Sequence, residues 1–431
     1  FHEVAVPDPR LGNYPITLAS HAWAAAQDLP AGPVHLNFPF REPLAPVIVP
    51  GDIAEKPETG PPPAYVPGRL EIDRSAIEEI AQVVSGRRTL LIAGPLDRPG
   101  FPATVTALAT RAGFPIVADP LSQLRAGDHN RTRVITTGDP LARVGSLDGD
   151  LKPEFIVRVG AIPTSKALST WLADHPEVPQ YVVDDAGWRD PGGSAATMVR
   201  SDPVSFARRL LELVEPAPVE WAASWEAAEK AAREALTNQL TFPSEPAVVA
   251  GLAETIPDET TLYVASSMPI RDVDAFFPSI DRRIRILSNR GANGIDGLIS
   301  SGLGAAVGGR PVLILSGDLS LLHDLTALGT AARFDLPVTI VVINNNGGGI
   351  FHFLPQAAFE HFERLLGTPH GTDFQAAAEM FGIEHHLVDD EAVFEDLVAT
   401  AVNHPRLIEV RTNRSENVAI HERAWQAVAR S

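Results

Sequence analysis

The chain has 431 residues, with 35 Lys and Arg against 54 Asp and Glu, a formal charge of −19 and no cysteine. This excludes disulfides, thiolate metal sites and a cysteine nucleophile, and so acidic a chain repels phosphate backbones, which argues against nucleic acid as a partner. A composition of 45% hydrophobic and 21% charged residues is that of a globular protein, long enough for about two to four domains, with no run near the roughly 18 apolar residues of a membrane span.

The chain opens Phe1-His2-Glu3, with neither Met nor a signal peptide, and the lack of cysteine fits a cytoplasmic protein. Residues 1–42 read as the tail of a domain, with a helix over Leu18–Asp28 and a strand over Val34–Phe38. One helix and one strand cannot enclose a core, so this piece is expected to dock on something. Eight prolines in the 25 residues from Pro43 to Pro67 mark an extended linker, taken as 43–69.

Residues 70–215 alternate. A helix over Ser75–Ser85 leads to a strand at Thr89–Ala93, and a helix over Pro102–Arg111 to a strand at Pro115–Ala118. Then follow a strand at Phe155–Val159, a helix from Thr164, a strand at Tyr181–Val183 and a helix from Pro203. Short β-branched runs between amphipathic helices indicate a parallel α/β sheet. The Ala- and Trp-rich stretch Trp221–Leu240 reads as a connecting helix within 216–245. Residues 246–431 alternate again, with strands at Thr261–Ala265, Arg285–Leu287, Pro311–Leu315, Val338–Ile343 and Leu407–Glu409. The fold class is therefore α/β: two parallel-sheet, three-layer domains, the central one Rossmann-like, preceded by an N-terminal remnant.

The most informative stretch is Val312 to Ser320, a strand running into Gly317-Asp318-Leu319-Ser320, followed after a helix by Val338 to Gly347, a strand running into Asn344-Asn345-Asn346-Gly347. The two strands of such a unit are parallel, which places Asp318 and Asn345 at carboxyl ends on one sheet edge, where open α/β sheets bind ligands. Carboxylate and amide oxygens suit Mg²⁺, which takes few protein ligands and completes its shell with phosphate oxygens. Backbone N–H groups of Leu319 and Ser320 can hold an anion beside it, and Gly347 lets the backbone turn a carbonyl inward. An isolated Gly-Asp after a strand is more often only an N-cap.

A second feature is Ser288 to Gly297, with three glycines in seven residues, a sign of backbone pressed against a ligand or of a tight turn. The later Gly302-Leu303-Gly304 is not a dinucleotide fingerprint, because Val307 occupies the third glycine position. His352, His361, His370, His385 and His386 have no zinc-motif spacing and read as surface or pocket-edge residues. A Gly-x-Ser-x-Gly elbow is absent from the sequence.

Gly-Asp followed by 27 residues to Asn345, with hydrophobic strands before both, resembles the thiamin-diphosphate fingerprint. Ser288–Gly297, Gly317–Ser320, Asn344–Phe351 and Gly32–Leu44 together resemble the MenD family, the 2-succinyl-5-enolpyruvyl-6-hydroxy-3-cyclohexene-1-carboxylate synthases of menaquinone biosynthesis. Leu319, where thiamin-diphosphate enzymes usually carry Gly, and the Ser-Asn-Arg-Gly-Ala block separate this family from acetolactate synthases and decarboxylases.

The resemblance implies a C-terminal diphosphate-binding domain. Its cofactors would be thiamin diphosphate and Mg²⁺, or Mn²⁺ in its place, with the metal held by Asp318, Asn345 and the Gly347 carbonyl. Ser266, Ser267, Leu319 and Ser320 would contact the diphosphate, Gly294 the aminopyrimidine, and Ile295 would wedge under the cofactor. Arg271 and Arg290 match substrate-carboxylate arginines, Lys166 a lysine that reaches the substrate, and Ile350, Phe351 and Leu354 would line the apolar side of the pocket. The implied substrates are 2-oxoglutarate and isochorismate. A homodimer or homotetramer is implied, with the active site between subunits. The resemblance also places an activating Glu in a pyrimidine-binding domain of which residues 1–42 match only the end, so this chain alone is expected to be inactive. Another 2-oxo-acid decarboxylase or synthase, and a non-catalytic cofactor-binding chain, are the alternatives.

Overall fold

The structure, a computed structural model, describes residues 1–42, 44–45, 62–291 and 294–431. Most of the proline-rich stretch expected as a linker, and Ala292 and Asn293 of the glycine-rich loop, lie outside the described residues. At the N-terminus, β1 (His2–Glu3) pairs in parallel with β2 (Leu36–Asn37) beside a helix over Tyr14–Gln27. Trp23, Phe38 and Phe40 are exposed there.

The central sheet holds β3 (Thr89–Ala93), β4 (Ile116–Ala118), β5 (Val134–Ile135), β6 (Phe155–Val159), β7 (Gln180–Val183) and β8 (Thr197–Val199). They lie in the order β5-β4-β3-β6-β7-β8, every pair parallel. The C-terminal sheet holds β9 (Thr261–Val264), β10 (Arg285–Ser288), β11 (Val312–Gly317), β12 (Val338–Asn344), β13 (Glu384–Leu387) and β14 (Arg406–Arg411). Its order is β10-β9-β11-β12-β14-β13, also parallel throughout. Parallel strands are covered on both faces and therefore need continuous apolar runs. Thr89–Ala93 and Val338–Asn344 meet that demand, with every residue buried.

Side-chain caps fix several helix starts. Ser165 Oγ accepts from Leu168 N–H (3.0 Å), Asp202 Oδ1 from Ser205 N–H (2.8 Å) and Ser244 Oγ from Ala247 N–H (3.3 Å). The Ser165 cap makes the helix expected from Thr164 begin at Lys166.

Apolar packing continues from one sheet to the other. Gln123 pairs both ways with the backbone of edge strand β10, donating to Ile286 O (2.7 Å) and accepting from Ile286 N–H (3.1 Å). An edge strand covered in this way offers no free ladder at that point. The connecting helix over Val219–Thr237 ties to the central sheet through Trp221 Nε1, which donates to Thr89 O (2.9 Å). No helix among the described residues is long and apolar enough to cross a membrane.

The C-terminal sheet reverses its strand order twice, first on the way from β9 to β11 and again where β14 inserts between β12 and β13. From β9 the chain steps outward to β10, then returns across to β11 on the other side of β9. A crevice opens beyond the carboxyl ends of β9 and β11 at such a switch point. Ser266 and Ser267 follow one strand and Gly317 to Ser320 the other.

Candidate active site

That crevice holds a cavity of ≈340 Å³. Ser266, Ser267, Arg271, Arg290, Ile295 and Asp318 line it, with Leu319, Ser320, Asn345, Gly347, Ile350 and Phe351 on the β11–β12 side. These positions came from four separate stretches of sequence, and the fold gathers them. Lys166, Gly294 and Leu354 do not line the cavity: Lys166 opens its helix exposed to solvent, and Leu354 is exposed at the end of the turn after Ile350. Glu245, which no sequence motif marks, does line it.

β11 and β12 run in register, Gly317 opposite Ile343, so Asp318 and Asn345 emerge on the same edge. Asp318 is 2% exposed. Its Oδ1 accepts from Leu319 N–H (2.7 Å), and its Oδ2 from Gly347 N–H (2.9 Å) and His370 Nε2–H (3.2 Å). The Thr372 amide donates to His370 Nδ1 (3.0 Å), so the ring proton sits on Nε2, facing Asp318. A carboxylate has about four acceptor positions, which leaves one on Asp318 for a cation. His370 is thus no surface residue but a partner of the central carboxylate, its side chain 11% exposed.

The three asparagines after β12 have separate tasks. Asn344 points into the core, where Nδ2 donates to Glu409 Oε1 (2.8 Å). Glu409 is 0% exposed and also takes His385 Nε2 (2.9 Å) and Arg411 Nε (2.9 Å). His385 therefore corrects the surface reading: its side chain is 7% exposed because a buried carboxylate on the neighbouring strand holds it. Asn346, in the left-handed region at φ 57°, accepts from the His370 and Gly371 amides (3.0 and 2.9 Å). Between them, Asn345 Nδ2 donates to Glu245 Oε1 (2.8 Å). Its Oδ1 is buried and has no hydrogen-bond partner among the described residues.

A buried oxygen without a donor costs about 1–3 kcal/mol, which a cation at that point offsets. Gly347 has φ 139°, and a Cβ there would fall 2.0 Å from Gly367 O, so only glycine fits. Its carbonyl accepts from Gly349 N–H (3.0 Å) and keeps a second lone pair. One carboxylate, one unpartnered amide oxygen and one free carbonyl position form a hard-oxygen donor set suited to Mg²⁺ completed by phosphate oxygens.

Across the crevice, Ser266 Oγ donates to Asn289 O (2.9 Å), which ties the end of β9 to the glycine-rich loop. Ser267 sits at φ 71°, ψ −132°, an uncommon conformation for a residue with a side chain, at the start of the helix Met268–Phe276. Arg271, on the first turn of that helix, donates through Nη1 to Ser267 O (2.5 Å). Burial pulls its guanidinium below the usual range and the nearby Arg290 pulls it further. Two cations facing one cavity repel each other, and an anion between them relieves that cost. Burial also pushes the Glu245 carboxyl up, to about 7, with Asp272 adding to the shift and the Asn345 bond opposing it.

Residues 278–410 match the family described as "Thiamine pyrophosphate enzyme, C-terminal TPP binding domain", and residues 65–264 match "Middle domain of thiamine pyrophosphate". Among curated relatives, the 2-succinyl-5-enolpyruvyl-6-hydroxy-3-cyclohexene-1-carboxylate synthase of Geobacillus thermodenitrificans is 44% identical over 100% of this chain and 75% of its own length. The proteins of the same name from Chloroflexus aurantiacus and Oceanobacillus iheyensis are 40% and 38% identical, each over 99% of this chain and 75% and 76% of their own. Motif, cavity and relatives agree: the chain belongs to the family of thiamin-diphosphate enzymes named 2-succinyl-5-enolpyruvyl-6-hydroxy-3-cyclohexene-1-carboxylate synthases.

Proposed function

We propose that the protein decarboxylates 2-oxoglutarate and adds the succinyl unit 1,4 to isochorismate, giving 2-succinyl-5-enolpyruvyl-6-hydroxy-3-cyclohexene-1-carboxylate and CO₂ in menaquinone biosynthesis. The observation that carries this is the joining, in one cavity at the sheet's switch point, of the Asp318–Asn345–Gly347 oxygen set with Arg271 and Arg290. Thiamin diphosphate, when bound, supplies the carbon nucleophile and the electron sink that decarboxylation of a 2-oxo acid needs.

The chain's own residues bind, orient and exclude water. Asp318, Asn345 Oδ1 and the Gly347 carbonyl hold Mg²⁺. Ser266, Ser267, Leu319 and Ser320 face the same space and hold the diphosphate. Arg271 and Arg290 grip substrate carboxylates, for which a guanidinium is suited because it binds bidentately and keeps its charge. Both substrates are dicarboxylates, so two such grips have a use. Ile295, Ile350 and Phe351 would supply the apolar wall that excludes water from the reacting atoms. Lys166, Gly294 and Leu354 belong to the same reading as residues that approach from outside the cavity. A homo-oligomer with the site between subunits is part of it too, supported by the exposed Trp23, Phe38 and Phe40.

An assay of the full-length protein with 2-oxoglutarate, isochorismate, thiamin diphosphate and Mg²⁺, each omitted in turn, tests the proposal. The product is expected only with all four. Fast CO₂ release without isochorismate would identify a simple decarboxylase instead, and cofactor binding without turnover would identify a binding protein. A smaller test concerns the loop: Gly347→Ala must push its Cβ into Gly367 O, and it is expected to weaken thiamin diphosphate binding about tenfold or more, measured by calorimetry with Mg²⁺.

A further inference from the structure

An asparagine amide offers oxygen at one end and nitrogen at the other, and a half-turn about its last torsion exchanges them. A cation accepts only the oxygen. For Asn345 the partner on the far side decides which end faces the cavity. Glu245 is 1% exposed, stands at the first position of the helix Glu245–Thr255 and presents Oε1 to Asn345 Nδ2 at 2.8 Å. Its segment is fixed by the Ser244 cap on Ala247. The opposite wall is backbone: a Cβ on Gly349 would come within 2.6 Å of Asn345 Nδ2, so the carboxamide is enclosed between Gly349 and Glu245. Oδ1 is left buried and unpartnered among the described residues.

We propose that Glu245 is a positioning residue for the cation site: by accepting the Asn345 amide hydrogen it turns Oδ1 toward the metal. Residues behind metal ligands commonly act this way, and their loss weakens metal binding about 10–100-fold. The inference rests on the cation site proposed above.

The test is a titration of Mn²⁺ into the full-length protein at saturating thiamin diphosphate, with bound metal read by electron paramagnetic resonance and melting temperature recorded in parallel. Glu245→Leu is expected to raise the Mn²⁺ dissociation constant about 10–100-fold. Glu245→Gln keeps an acceptor oxygen and is expected to stay within about threefold of the parent protein. Asn345→Asp sets two acceptors against each other and is expected to bind Mn²⁺ poorly. Adding Glu245→Gln to it restores a donor–acceptor pair and is expected to recover at least about tenfold. A structural role alone would lower the melting temperature without that recovery. If Glu245→Leu does not fold, the Asn345→Asp and Glu245→Gln pair carries the test. Asp318→Ala separates the two readings. Lost Mn²⁺ binding there, with no recovery in the double variant or with parental affinity in Glu245→Leu, overturns the role of Glu245 alone. Parental Mn²⁺ binding in Asp318→Ala overturns the cation site itself.

Discussion

Asp318→Ala is expected to abolish Mg²⁺-dependent retention of thiamin diphosphate, weakening it by at least about 100-fold and removing synthase activity with it. Losing a residue behind a ligand costs about 10–100-fold, and Asp318 is itself the one carboxylate in the donor set. It also joins three segments: Leu319 at the start of its own helix, Gly347 on the loop after β12, and His370 beyond it. Alanine removes the charge and all three acceptor contacts together. Asp318→Asn separates these effects, since it keeps one oxygen but sets an N–H₂ against donors from Gly347 or His370. The expected order of cofactor affinity is parent, then Asn, then Ala, by calorimetry at fixed Mg²⁺. Unchanged affinity in the alanine variant would falsify the ligand assignment.

The residues that were legible in the sequence are those whose environment is local. β3 and β6 coincide with the runs Thr89–Ala93 and Phe155–Val159 because a strand covered on both faces is mostly apolar, the buried Arg158 in β6 being paired with Asp190 (3.1 Å), and glycine or proline bounds such a run. β5, β8 and β13 left no such mark. Each is a short edge strand of two to four residues, and β13 is Glu384-His385-His386-Leu387, with three polar residues of four because one side of it has no neighbour. The order of the strands is not written in any one of them, so no single run of sequence marks the switch point between β9 and β11.

The same division runs through the site. Gly317-Asp318 and the asparagine run are readable since a strand end and a turn fix them locally. Glu245 is not, because Ser-Glu-Pro at a helix start reads only as a cap, and its partner Asn345 lies 100 residues further on. His370 was visible as a histidine, but its role depends on Thr372 fixing the ring proton and on Asp318 being 52 residues away.

Arg125→Met is expected to destabilise the protein by about 3–5 kcal/mol and to split its thermal unfolding into two transitions. Arg125 is 2% exposed and stands where the two sheets meet. Nε donates to Ala118 O (2.8 Å) at the end of β4. Nη1 donates to Val273, Asp274 and Phe277 carbonyls (3.0, 2.8 and 3.2 Å) at the close of the helix Met268–Phe276, and Nη2 to Asp274 Oδ1 (2.7 Å). The last carbonyls of a helix lack intrahelical donors, so one guanidinium from the central domain satisfies a helix end of the other. Methionine fills the volume but supplies no N–H, leaving the Asp274 carboxylate and four carbonyls without this partner.

Two comparisons sharpen the argument. Asp274→Leu keeps Arg125 on its four carbonyls and is expected to cost less than Arg125→Met. The double variant removes the stranded carboxylate, and replacing a buried pair by apolar groups is often near neutral. All four carbonyls still lose the guanidinium, however, with Val273 O keeping its bond from Phe277 N–H (3.2 Å), so recovery is expected to be partial. Differential scanning calorimetry reads all three. A single transition in Arg125→Met at the parental temperature, or full recovery in the double variant, would show that this arginine does not join the two domains.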